Sequence, residues 1–205
     1  MPWVIRPPKA RPPPRSSCSD SATLDMNRIR ITGGNWRSRL IQVIDAEGLR
    51  PTPDRVRETL FNWLGQDLSG WRCLDLFAGS GILGIECASR GATEVVLVEK
   101  NPKTMARLRD NAAIFASAAL RLERMDALEF ATASARQGQS FDLILLDPPY
   151  RQGWLDKVAP LLPPLAKPDT RIYAEAEQRI DSLGDWQTVK QGQAGQVFYH
   201  LLERK

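Results

Sequence analysis

The sequence predicts an α/β protein, a seven-stranded and mostly parallel sheet with helices on both faces, preceded by a small β-hairpin. Three observations carry this prediction. Short unbroken apolar runs such as Val95–Val98 and Leu143–Leu146 are those of strands buried on both faces, and they are too short for helices. A glycine-rich segment, Gly79-Ser80-Gly81-Ile82-Leu83-Gly84, directly follows one such run and reads as strand, tight turn and helix start. Stretches of helical periodicity then alternate with the remaining runs, which is the signature of a parallel sheet.

The composition bounds the rest. With 205 residues, 42% of them hydrophobic, the chain suffices for one core-forming domain and a small appendage. A net charge of +4 permits an anionic partner without requiring one. No apolar run approaches the length of a membrane span. Cys18, Cys73 and Cys87 are scattered, odd in number and lack CxxC spacing, which argues against a disulfide framework or a metal site and fits a reducing cytoplasm. The single histidine, His200, lies in an apolar stretch and reads as a strand residue.

Residues 1–27 form a Pro/Arg-rich arm. Pro7-Pro8 and Pro12-Pro13-Pro14 alternate with Arg6, Lys9, Arg11 and Arg15, and almost nothing there can enter a core, so the composition predicts disorder. The basic residues are not followed by the apolar segment of a secretory signal. Met26, just before the ordered sequence, is a candidate translation start.

Residues 28–50 follow as the hairpin extension. Ile29 and Ile31 alternate with Arg28 and Arg30, Gly33-Gly34-Asn35 supplies a turn, and Arg37 to Val43 can return as a second strand. Seven arginines and no lysine lie between Arg28 and Trp63. Arginine suits phosphate forks and base stacking, so Arg28, Arg30, Arg37, Arg39 and Arg55, with Trp36 among them, are the candidate nucleic-acid platform; a solvated hairpin face is the plainer alternative.

Residues 51–205 form the main domain. Pro51-Thr52-Pro53-Asp54 predicts a helix start with Thr52 as N-cap and Pro53 at the first helical position. Val56, Leu60, Trp63 and Leu64 share its buried stripe, while Arg55, Thr59 and Asn62 lie on another face. Next comes Cys73-Leu74-Asp75-Leu76-Phe77-Ala78-Gly79-Ser80-Gly81, then the strand Val95–Val98 ending in Glu99. An acid there binds ribose hydroxyls in Rossmann-like folds, so the string is compatible with a nicotinamide dinucleotide as well as with S-adenosylmethionine. A helix is expected from Pro102 to Ala116, then a strand near Leu120–Arg124. Asp126-Ala127 follows, where an acid can accept from an adenine amine or simply cap the next helix.

The fourth strand ends in Asp147-Pro148-Pro149-Tyr150. The prolines stiffen the segment and hold Asp147 extended. A carboxylate and a free carbonyl suit the two N–H bonds of a planar amino group, and the tyrosine ring offers a stacking face. A strand ending in a proline turn with a packed tyrosine is the bland alternative. Beyond it, Trp154–Leu165 reads as a helix interrupted by prolines, Arg171–Glu175 as a strand, and Trp186–Val189 with Gln196–Leu202 as a closing antiparallel pair.

Asp75 to Gly81 together with Asp147 to Tyr150 resembles the class I S-adenosylmethionine-dependent methyltransferases that act on exocyclic amines. Arg30-Ile31-Thr32-Gly33-Gly34-Asn35-Trp36-Arg37-Ser38-Arg39 and Leu49 to Leu64 narrow the resemblance to the RsmD family, which methylates N2 of a guanine in bacterial 16S ribosomal RNA. It runs from about Arg28 to the C-terminus, with Tyr150 where phenylalanine is frequent. The resemblance implies S-adenosylmethionine as cofactor, held by Asp75, Phe77, Ala78, Gly79, Ser80, Gly81, Glu99, Asp126 and Ala127. It implies that Asp147 and the Pro148 carbonyl hold the amine, with Pro149 and Tyr150 completing the site. It further implies ribosomal RNA as partner, within small-subunit particles, with no metal and no membrane. The alternatives are a DNA adenine-N6 methyltransferase, a nicotinamide-dependent oxidoreductase, and a non-catalytic RNA-binding module.

Overall fold

The computed structural model describes residues 28–43 and 52–204. The arm of residues 1–27 and the stretch 44–51, with Leu49 and Arg50, lie outside the described residues.

The hairpin pairs β1 (Arg28–Arg30) antiparallel with β2 (Leu40–Gln42), Ile29 opposite Ile41. Its connection holds a single 3-10 turn, Gly34–Trp36, so the return strand is shorter than the sequence suggested. Helix α1 (Asp54–Leu64) follows. Strand β3 (Arg72–Asp75) leads into α2 (Ile82–Ser89), β4 (Glu94–Val98) into α3 (Pro102–Ala113), and β5 (Leu120–Glu123) into α4 (Ala127–Arg136). After β6 (Phe141–Leu146), the expected proline-interrupted helix is a short α5 (Trp154–Val158) and two 3-10 turns, because Pro160, Pro163 and Pro164 each remove an N–H that a longer helix would need. Strands β7 (Ala166–Ala176), β8 (Ser182–Leu183), β9 (Trp186–Ala194) and β10 (Val197–Arg204) complete the chain.

The main sheet has the order β5-β4-β3-β6-β7-β10-β9-β8, parallel from β5 to β7 and antiparallel beyond. It contains the seven predicted strands and adds β8 at the edge. A two-residue strand, joined to β9 by Gly184-Asp185, is too short to leave a periodicity. The chain winds outward from β3 to β5 and then returns to the other side of β3, so the topological switch lies between β3 and β6. Ligands of open α/β sheets bind outside the carboxyl ends of the strands at this point.

Alternation along the strands explains the unbroken apolar runs. Leu143 and Leu145 pack with Cys73, Val95 and Leu97 beneath α1, α2 and α3. Ile144 and Leu146 face the opposite side with Leu74, Val96, Phe130 and Val158, beneath α4 and α5. Each residue of these runs is thus covered by one helical layer or the other.

Helix α1 departs from expectation at its start. Pro53 is the N-cap and Asp54 the first helical residue, and no side chain caps the helix. The Thr52 hydroxyl instead donates to Glu175 Oε1 at 2.9 Å, and its carbonyl accepts from Arg57 Nη1, which turns the side chain away from its own helix. The buried stripe is Val56, Arg57, Leu60, Phe61 and Leu64, with Trp63 only partly buried against Tyr199. His200 is a buried residue of β10, accepting from the Ile180 N–H at 3.2 Å, and burial lowers its pKa. Among the described residues no helix is long and apolar enough to cross a membrane, and no group of three or more His, Cys, Asp or Glu could hold a metal ion.

Candidate active site and nucleic-acid interface

The carboxyl ends of β3, β4 and β6 open onto a cleft of about 1000 Å³. The segment after β3 makes its floor. Gly79 and Gly81 adopt left-handed conformations, φ 54° and 86°, which glycine tolerates without strain. A Cβ at Gly79 would meet nothing closer than the Phe77 carbonyl at 4.0 Å, so the backbone there is open to a ligand. At Gly81 a Cβ would lie 2.4 Å from Leu108 Cδ1, so this glycine serves the packing of α2 on α3.

Glu99, just past β4, accepts from the Gly79 N–H at 3.1 Å and from the Asn101 N–H at 2.7 Å. Burial raises its pKa against these bonds. The carboxylate therefore braces the glycine loop and faces the cleft, as a partner for ribose hydroxyls must. Asp126 caps α4 through the Leu128 N–H at 3.0 Å and pairs with Lys100 at 2.9 Å. Burial works to raise its pKa, but Lys100 and the α4 amides outweigh it, and the carboxyl stays below its ordinary value. The capping role and the place at the cleft edge coexist in this one residue.

Phe77, Gly79, Glu99, Asp126, Ala127, Asp147, Pro149 and Tyr150 all line the cleft. Asp75, Ala78, Ser80, Gly81 and Pro148 do not line it and instead shape its walls from behind. Asp75 is the extreme case, 1% exposed, with its carboxyl accepting from the Phe77 and Gly84 N–H groups while Oδ1 has no partner. Burial drives its pKa to about 7. The sequence reading missed Lys100, Asn101, Met125, Gln152 and Trp154, which also line the cleft. Trp154 packs edge-on against Phe77 with ring centroids 5.4 Å apart. The only signal for it was an aromatic residue soon after the proline pair.

Asp147 is partly exposed and stands one residue past β6. Its Oδ2 lies 3.4 Å from the Thr52 hydroxyl. Burial, then Glu175 and Asp75, push its pKa well above the ordinary range. Among the described residues the Pro148 carbonyl accepts no hydrogen bond, so it and the Asp147 carboxyl are two acceptors beside the cleft. Tyr150 is half-buried, its phenol pKa raised by burial and then by Asp147. Arg151 follows at φ 61°, a left-handed non-glycine residue whose N–H donates to Glu177. These residues hold the turn that aims the tyrosine.

The hairpin docks on α2 and α3. Glu86 accepts from the Thr32 N–H at 2.7 Å, and Ser89 bonds both the Gly33 carbonyl at 2.6 Å and the Trp36 N–H at 2.9 Å. Asn111 pairs with the Gln42 backbone through both atoms of its amide, and its Nδ2 also donates to the Ser80 carbonyl at 2.9 Å. One face of Trp36 stacks on Phe115 at 4.4 Å, and Arg39 lies over that same ring at 4.8 Å while donating to the Ile114 carbonyl. Arg28, Arg37 and Arg55 are exposed, and Arg30 is exposed beside Asp54 at 3.6 Å. The structure thus brings the cleft residues together and sets the hairpin arginines on its flank, with Arg39 and Trp36 partly engaged in docking.

Comparison with known proteins follows the same outline. Ribosomal RNA small subunit methyltransferase D of Escherichia coli is 39% identical over 184 residues, which cover 87% of this chain and 91% of that protein. The solved structure of a putative methyltransferase from Escherichia coli superposes with a TM-score of 0.76 at 38% identity, covering 87% of this chain and 98% of that one. A putative methyltransferase solved with SAH bound shares the fold, with a TM-score of 0.67 at 16% identity, covering 86% of this chain and 56% of that one. The sheet is therefore that of the class I methyltransferases. A family model described as "Conserved hypothetical protein 95" matches residues 29–203, and with these relatives it shows that the chain belongs to that family, the RsmD family that its motifs resemble.

Proposed function

We propose that the protein methylates N2 of a guanine in small-subunit, 16S ribosomal RNA, with S-adenosylmethionine as cofactor. The observation that carries the reading is the meeting of two sets of groups on one cleft. Asp147 and Tyr150 line one end, and Glu99 with the open Gly79 backbone forms a cofactor cradle at the other.

The residues fit the cofactor. Glu99 would hold its ribose hydroxyls, Gly79 the methionine part and Asp126 the adenine edge, while Asp75, Ala78, Ser80 and Gly81 shape the loop. The bound cofactor supplies a methyl group on a positively charged sulfur. The protein's own part is positioning. An exocyclic amine is a weak nucleophile because its lone pair is delocalised into the ring. Acceptors on both its hydrogens, Asp147 and the Pro148 carbonyl, favour a pyramidal nitrogen with that lone pair aimed along the cleft. Tyr150 would stack on the base, with Pro149 keeping the segment rigid. No Lewis acid is needed for transfer from a sulfonium to a positioned amine.

Arg28, Arg30, Arg37, Arg39 and, from α1, Arg55 supply phosphate contacts from the flank, and Trp36 anchors the hairpin that carries the first four. The basic hairpin beside the cleft supports RNA as partner, met within small-subunit particles in the cytoplasm. The test is methyl transfer from labelled S-adenosylmethionine to small subunits lacking the modification, with Asp147→Ala as control. N2-methylguanosine from wild type and none from the variant is the expected result. N6-methyladenosine would overturn the substrate but keep the reaction.

A further inference from the structure

Asp147 and Glu175 stand side by side. The last paired positions of β6 and β7 are Leu146 and Ala174, and these two acids follow them, both on the α1 side of the sheet. Glu175 is 3% exposed. Between the two carboxyls lies one hydroxyl, that of Thr52, 2.9 Å from Glu175 Oε1 and 3.4 Å from Asp147 Oδ2. The Tyr173 hydroxyl also donates to Glu175 Oε1, at 2.8 Å.

A hydroxyl carries one hydrogen, so Thr52 can satisfy only one of its two acid neighbours at a time. With both acids ionised, the group holds two like charges side by side, that of Glu175 buried, and is one donor short. One added proton repairs both faults and completes a chain that can run either way. Asp147 can donate to Thr52 and Thr52 to Glu175, or Glu175 to Thr52 and Thr52 to Asp147. The shorter Thr52–Glu175 distance matches the first direction for the protein without substrate.

Among the described residues, no cation pairs with either carboxyl. Asp75 approaches from β3, Tyr173 from β7, Tyr199 from β10, and Tyr150 and Glu177 from the segments after β6 and β7, all acidic or neutral. The nearest guanidinium, that of Arg57, bonds the Thr52 carbonyl and not either carboxyl.

We propose that Asp147, Thr52 and Glu175 share a single proton, which passes to Glu175 when the target amine docks on Asp147. The transfer balances within the triad. Asp147 gives its proton to the Thr52 oxygen, the Thr52 hydrogen moves to Glu175, and Asp147 is left ionised to accept from the amine. Glu175 is then a positioning residue that acts through Thr52 and sets the ionisation of Asp147. This rests on Asp147 being the amine acceptor, as proposed above.

Two isosteric variants and two readouts test it. In single-turnover methyl transfer at saturating cofactor, wild type should lose rate on an acidic limb set by the triad. Glu175→Gln stands for Glu175 with the proton already on it, the state of the docked complex, and should leave that limb in place. Thr52→Val removes the bridge but keeps both acids, and should move the limb up. A limb that moves up in Thr52→Val and stays in place in Glu175→Gln cannot come from a general loosening of the site. Carboxyl-carbon NMR of the free, labelled protein, with Asp147→Asn assigning the resonance, reads the same ionisation without RNA. A fall of at least one pH unit in the Asp147 titration in Glu175→Gln supports the shared proton. An Asp147 carboxyl that titrates identically in wild type and Glu175→Gln overturns it. If the resonance moves as expected while wild type methylates no guanine, the functional reading has failed and the shared proton stands.

Discussion

Arg57 on α1 and Glu86 on α2 pair at 3.2 Å with both side chains fully buried. Glu86 also accepts from Arg90 and from the Thr32 N–H, and Arg57 also donates to the Thr52 and Arg30 carbonyls. One buried pair thus joins the hairpin, α1, α2 and the residue beside Asp147. Removing one member of such a pair leaves the other charged and unpaired, at a cost of about 3–5 kcal/mol. Glu86→Ala strands Arg90 and leaves Arg57 to the half-exposed Asp54, so denaturant unfolding should show a loss toward the lower end of that range, above the effect of a surface change such as Asp110→Ala.

Gly34 should be intolerant of a side chain. Its φ of 74° is left-handed, and a Cβ there would lie 2.0 Å from the Ser89 carbonyl oxygen. Backbone atoms cannot move aside as a flexible side chain can, so Gly34→Ala must displace the hairpin from α2, with strain of roughly 1–3 kcal/mol. The expected outcome is weaker RNA binding with a smaller loss of cofactor affinity, because Asn111 ties the hairpin to the glycine loop. Titration calorimetry with each ligand separately reads the split.

Asp75 should leave a mark on the pH dependence of stability. Burial raises its carboxyl to a pKa of about 7 in the folded protein, against an ordinary value of 3.8. The folded state therefore holds the proton more tightly, and this contribution is complete below pH 3.8 and lost as pH rises through about 7. The full change is on the order of 4 kcal/mol. Asp75→Asn cannot ionise, so unfolding measured from pH 4 to 8 should fall less steeply for the variant than for wild type.

The two arginines of the hairpin connection should behave differently. Arg37 is exposed, while Arg39 packs over Phe115 and bonds the Ile114 carbonyl. If each meets one phosphate, replacing it lowers the slope of log affinity against log salt by about 0.7–0.9. Arg37→Ala should show that change alone. Arg39→Ala should add a loss of hairpin stability, visible as faster amide exchange at Trp36.

The parts of the fold visible in the sequence were those governed by local rules. The runs around Leu143 and Val95 mark strands covered on both sides, and the glycines and the Asp147 tetrapeptide fall at strand ends by simple order. Thr52 shows where local rules stop. Its position before Pro53 and Asp54 is that of an N-cap, yet Glu175, distant in sequence, claims its hydroxyl. Arg57 was hidden for a similar reason. An arginine is expected at the surface, and only the fold reveals the four partners that allow it to be buried. Glu175 and Trp154 reach the site through pairing of β6 with β7 and through a turn after the prolines, neither of which has a spacing to detect.

Among the described residues, the Asn111 amide spans two parts of the molecule that no other side chain joins in this way. It grips the Gln42 backbone on the hairpin and the Ser80 carbonyl in the glycine loop. A pull on β2 by a docking RNA strand must therefore either tear that amide free or drag the loop along. The hairpin is less a handle fixed to an indifferent body than the long arm of a lever whose short arm ends at the cofactor cradle.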